Sequence, residues 1–116
     1  MSYIQIEIGG KPRGLKFNQY AVITMAKYAD LENYEATAGY AMVYGGLKAN
    51  LFVKRQEADF TFEDVCDWVD ALPQEDLLKV YEVFAETQAY KNLIEKGKEK
   101  EEEVTKKKLK SNNVKT

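Results

Sequence analysis

The chain has 116 residues, 45% of them hydrophobic and 12% aromatic, which suits one modest core and little more. It holds no histidine and one cysteine, so the commonest general base, the Ser–His and Cys–His nucleophile systems, most zinc sites and any internal disulfide are excluded. The formal charge of −2 hides a split: residues 1–90 carry 8 Lys/Arg against 14 Asp/Glu, and residues 91–116 carry 9 against 5.

An acidic body is a poor match for nucleic acid, and only the basic tail offers such a surface. No apolar run approaches the ~18 residues that a membrane helix needs. Met1–Ile8 alternates like a strand and does not read as a signal peptide. The expectation is a soluble, intracellular protein in a reducing compartment, with no membrane contact. A single globular domain is expected over residues 1–95, with a charged tail over 96–116.

Tyr3-Ile4-Gln5-Ile6-Glu7-Ile8 alternates apolar and polar, the period of a half-buried strand with the isoleucines inward. Gly9-Gly10-Lys11-Pro12-Arg13-Gly14 reads as a turn, and Leu15-Lys16-Phe17 resumes the alternation. Residues 3–17 therefore make a β-hairpin. A lone hairpin is marginal in water and must pack on helices or pair with another strand. Its edge suggests self-association into a homo-oligomer, with Ile4, Ile6, Ile8, Leu15 and Phe17 as the candidate residues. The glycines do not form a phosphate loop, because Gly14 leads into Leu15-Lys16-Phe17 and not into a Gly-Lys-Ser/Thr helix start.

A helical body is expected over 19–95. Asn18 can cap a first helix, Gln19–Ala29, which is mostly apolar. A second helical region runs from about Tyr34 to Gln56, where Tyr40, Val43, Tyr44, Leu47 and Leu51 continue one face through Gly45-Gly46. The glycine pair could end one helix and start another, or admit a neighbouring backbone; a kink or break is the expectation. Thr61 with Asp64 reads as a capping box opening the next helix. There Phe62, Val65, Cys66, Val69 and Leu72 share a face opposite Glu63, Asp64, Asp67 and Asp70. Pro73 fits the start of the following helix, whose apolar stripe is Leu77, Val80, Tyr81, Phe84 and Leu93–Ile94. Lys96–Lys110 is nearly all Lys and Glu and reads as an exposed helix extension fraying into disorder. The fold class is mainly α (α+β), an N-terminal β-hairpin followed by a bundle of about four to five helices.

Little here carries chemistry. Cys66 lies on the apolar face, as a small hydrophobe with no visible activating base. The acidic set lacks the alternating oxygens and glycine of an EF-hand loop, and a solvated helix face or a docking face explains it better than a metal. The sequence calls for no cofactor, no metal and no catalytic residue. Tyr40 and Tyr44 are either core aromatics or part of an exposed groove for another protein's helix or strand, and the sequence leaves both open.

The succession Tyr3-Ile4-x-Ile6-x-Ile8-Gly9-Gly10-Lys11, Leu15-Lys16-Phe17, a helix, Tyr44-Gly45-Gly46-Leu47 and Phe60-Thr61-Phe62-Glu63-Asp64-Val65-Cys66-Asp67-Trp68-Val69-Asp70 resembles the tail assembly chaperones of long-tailed, siphovirus-type bacteriophages. The likeness spans about residues 3–90. It implies a small, mostly helical, non-enzymatic protein in the host cytoplasm. Such proteins keep the tape-measure protein soluble, help tail-tube subunits assemble around it, and are absent from the mature virion. Many are also made in a longer, frameshifted form. On that reading the candidate client groove is Tyr40, Tyr44, Leu47, Leu51, Trp68 and Phe84. The alternatives are a structural or adaptor component of a phage particle, and a small regulator with a nucleic-acid-binding tail.

Overall fold

A computed structural model of the chain describes residues 2–30 and 33–95. The expected tail over 96–116, with its charged helix, lies outside the described residues. An antiparallel hairpin opens the chain, β1 (Tyr3–Ile8) and β2 (Lys11–Lys16). Helices α1 (Gln19–Tyr28), α2 (Tyr34–Lys54), α3 (Phe62–Ala71) and α4 (Gln74–Ala85) follow, and α5 runs from residue 88 to 95, the last described residue. This is the expected α+β arrangement of a hairpin followed by five helices.

The turn is shorter than the glycine-rich stretch suggested. Only Gly9 and Gly10 form it, both at positive φ (65° and 82°), as a two-residue primed hairpin turn requires. Ile8 pairs with Lys11, and pairing continues to Tyr3 with Lys16. Phe17 N–H donates to the Ser2 carbonyl at 2.7 Å, extending the ladder by one hydrogen-bonded pair. Hydrogen-bonded pairs alternate in an antiparallel ladder, so Glu7 and Pro12 form a non-bonded pair. The missing N–H of Pro12 therefore faces away from β1, and the strand runs through it.

Helix α2 is the centre of the molecule. Residues 41–47 are all buried, as are Ala49 and Asn50, so neighbours surround this helix on every side. The break expected at Gly45-Gly46 does not occur; α2 is one uninterrupted helix. Its glycines serve the other possibility, close approach. A Cβ on Gly45 would lie 2.8 Å from the Ala21 carbonyl oxygen of α1, and one on Gly46 would lie 2.9 Å from the Phe17 ring. The fully enclosed side chains Leu15, Phe17, Val43, Leu47, Val65 and Val80 show that the hairpin, α2, α3 and α4 share one core.

The caps follow the sequence. Asn18 accepts from the Ala21 N–H at 3.0 Å. Thr61 Oγ1 accepts from the Asp64 N–H, and the Asp64 carboxylate accepts from the Thr61 N–H, completing the capping box. Pro73 sits one position before α4, at its N-cap, with Glu75 and Asp76 in the first turn. Helix α2 ends on Arg55 in the left-handed region (φ 58°), with its guanidinium over the Phe52 ring.

Candidate interaction surface

The six side chains proposed for a client groove fall into separate packing environments. Tyr44, Leu47 and Phe84 are buried in the chain's own core. Tyr44 touches Tyr28, Phe60 and Phe62 at ring-centroid distances of 4.8, 6.1 and 5.3 Å. Burial first, and then the Tyr28 hydroxyl, push its phenol up to about 12. Phe84 packs on Phe17 and Tyr90. Tyr40 is half-buried and donates to Asp70 Oδ1 at 2.6 Å, joining α2 to α3; that hydrogen bond, then the carboxylate charge, raises its pKa. Trp68, also half-buried, lies beneath the hairpin turn, where a Cβ on Gly9 would come within 2.7 Å of its ring.

Leu51 is half-buried and, with Leu47 and Asn50, lines an open cleft of about 390 Å³ between β2 and the end of α2. These six residues hold the fold together and do not converge on one surface. The same holds for the hairpin set. Ile6, Ile8, Leu15 and Phe17 are core residues, and only Ile4 is half-buried.

The exposed apolar surface lies elsewhere. Leu78 is 56% and Tyr81 44% exposed on α4, and Leu93 and Ile94 are about 40% exposed on α5. Helix α4 ends at Ala85 and α5 starts at residue 88, where Thr87 accepts from the Tyr90 N–H. That turn brings the Tyr90 hydroxyl to 2.9 Å from the Tyr81 hydroxyl. Leu78 lies one turn before Tyr81, and Leu93 and Ile94 one turn after Tyr90. The four residues are thus the exposed apolar positions on the two helices that meet at this tyrosine pair. Ile23 of α1 and Phe52 and Val53 of α2 are exposed as well, and the Tyr20 and Phe52 rings stack at 4.2 Å.

The sequence placed Tyr81, Leu93 and Ile94 on the apolar stripe of one helix; the structure breaks that helix at residues 86–87 and leaves all three exposed, as it does Leu78, for which a signal was present. Leu77 and Leu78 are adjacent, as are Phe52 and Val53, and Leu93 and Ile94. Neighbours on a helix differ by about 100°, so one core cannot take both of a pair fully. Arg13 was also missed, having been read as a turn residue. It lies on the inner face opposite Ile6, donates from Nε to the Ile8 carbonyl at 3.0 Å, and sits 4.6 Å over the Trp68 ring.

Cys66 is half-buried in α3. Burial first, and then the Asp70, Glu63 and Asp67 carboxylates, push its thiol pKa up, away from a reactive thiolate. Among the described residues no group of three or more Cys, Asp or Glu side chains is arranged to hold a metal ion. No described helix is long and apolar enough to cross a membrane. No protein-family model, curated protein or solved structure matches the chain.

Proposed function

We propose that the chain is a tail assembly chaperone of a long-tailed bacteriophage, which binds apolar helical stretches of the tape-measure protein and releases them as tail-tube subunits assemble. The observation that carries this reading is that Leu78, Tyr81, Leu93 and Ile94 are left facing solvent around a closed core. Two helices that meet at the Tyr81–Tyr90 contact and leave apolar side chains in solvent offer a surface for the apolar face of a third. Glu75, Lys79, Glu82, Lys91 and Glu95 are exposed on the same two helices and keep the loaded surface soluble. The motif order over residues 3–90 points the same way.

On this reading the protein works in the host cytoplasm and is absent from the finished virion. The location of the surface is tested with the double variant Leu78→Glu, Ile94→Glu, co-expressed with the tape-measure protein. Both sites are exposed, so the variant keeps its far-UV circular dichroism and loses client solubilisation. Undiminished client solubility in a folded variant removes the α4–α5 assignment.

A further inference from the structure

The two edges of the hairpin differ. Ser2 pairs with Phe17 by hydrogen bond, so Ile4, Ile6 and Ile8 point their backbone groups at β2, and those of Tyr3, Gln5 and Glu7 point outward. Among the described residues no hydrogen bond from elsewhere in the chain reaches these outward groups. On β2 the outward residues are Pro12, Gly14 and Lys16. That edge is defended: Pro12 offers no N–H, Lys11 and Lys16 flank it, and Asn50 of α2 stands against Gly14, its Nδ2 2.8 Å from where a Cβ would be. Proteins blunt unused edges with Pro, Lys or a covering element. β1 carries neither Pro nor Lys, α4 packs on it, and Tyr3, Gln5 and Glu7 stay exposed.

We infer that the β1 edge is an interface between two copies of this chain, paired antiparallel about a two-fold axis at Gln5 to give one four-stranded sheet. The pattern of β1 fits itself in this register. Gln5 faces Gln5 of the second copy, and Tyr3 faces Glu7, so all three outward residues of each strand exchange backbone hydrogen bonds. On the inner face Ile4, half-buried in one copy, lies beside Ile6 of the other and is covered. Like charges do not meet, and Glu7 comes to the side of the sheet that carries Lys16. Shifting the register by two or more residues leaves outward groups unpaired, and centring it on Glu7 sets two carboxylates face to face. The inference goes beyond the proposed function and does not depend on it.

The test is sedimentation equilibrium and light scattering of the full chain alone, from low to several hundred micromolar, with amide exchange at Gln5 and Glu7. The expected result is a dimer whose Gln5 and Glu7 amides become protected as concentration rises. Gln5→Pro removes the central outward N–H, and Gln5→Lys sets two ammonium groups together. Each raises the dimer dissociation constant at least about tenfold. Gln5→Lys changes only an exposed side chain and carries the test if Gln5→Pro fails to fold. A chain that stays monomeric throughout, as it would if the edge served a strand of another protein, overturns the inference. So does a dimer that both folded variants leave intact.

Discussion

Arg13 and Asp59, 46 residues apart in sequence, meet at 2.8 Å between Nη1 and Oδ1, and this contact fastens the hairpin to the loop between α2 and α3. The guanidinium is nearly enclosed, with 11% of the side chain exposed, between the Phe60 and Trp68 rings. It meets a carboxylate, a carbonyl and two aromatic faces at once. Arg13→Ala is expected to lower unfolding free energy by about 1–3 kcal/mol and to shift the emission of Trp68, the one tryptophan. Arg13→Lys recovers little of this, because an ammonium cannot span the same partners in plane. Urea denaturation followed by tryptophan fluorescence measures both.

The same contact sets an acid dependence. Hydrogen bonds from Arg13, then Lys11, hold the Asp59 carboxyl at about 2, below the 3.8 of an ordinary aspartate. A folded-state pKa below the unfolded one gives stability that is complete above the unfolded value and lost as pH falls through the folded one. Asp59 is 56% exposed, so water and salt screen the pair and its contribution is small. Asp59→Asn is therefore slightly less stable than the parent at neutral pH, and the gap closes between about pH 4 and pH 2. Urea midpoints across that range check it.

Glycines within α2 have opposite expected effects. Gly39 has open space where a Cβ would go, so Gly39→Ala gains helix propensity and stabilises by up to about 1 kcal/mol. Gly45→Ala would gain the same propensity but meets the Ala21 carbonyl at 2.8 Å and Met25 Cγ at 2.7 Å. The backbone oxygen cannot rotate away, so α1 must move and the net effect is a loss of about 1–3 kcal/mol. Thermal melts of the two single variants distinguish them by sign.

Leu47 and Leu78 separate the core from the proposed client surface. Leu47 is 2% exposed at the centre of α2, and Leu47→Ala is expected to cost about 2–5 kcal/mol. Leu78→Ala removes side-chain surface already in water and changes stability by less than about 0.5 kcal/mol. Denaturant midpoints measure both, and a large loss for Leu78→Ala would show that this leucine packs in the fold.

Local chemistry was legible and mutual burial was not. The Asn18 cap, the Thr61–Asp64 capping box and the alternation of Tyr3–Ile8 each depend on a few adjacent residues, so the sequence states them directly. The length of the turn depended on register: Pro12 looks like a breaker until its N–H position is known to face outward. The groove residues depended on what surrounds α2. A helix enclosed on all sides has no polar face to mark direction, so Tyr44 and Leu47 could be read equally as core or as surface. Arg13 was hidden because its partner Asp59 is supplied by a distant loop.

The most direct measurement of the proposed function is co-expression with the tape-measure protein of the same genome, followed by size-exclusion chromatography with light scattering. The client, insoluble alone, is expected to co-elute with this chain at a fixed stoichiometry. A client that stays insoluble while this chain elutes alone and appears in purified particles contradicts the chaperone reading.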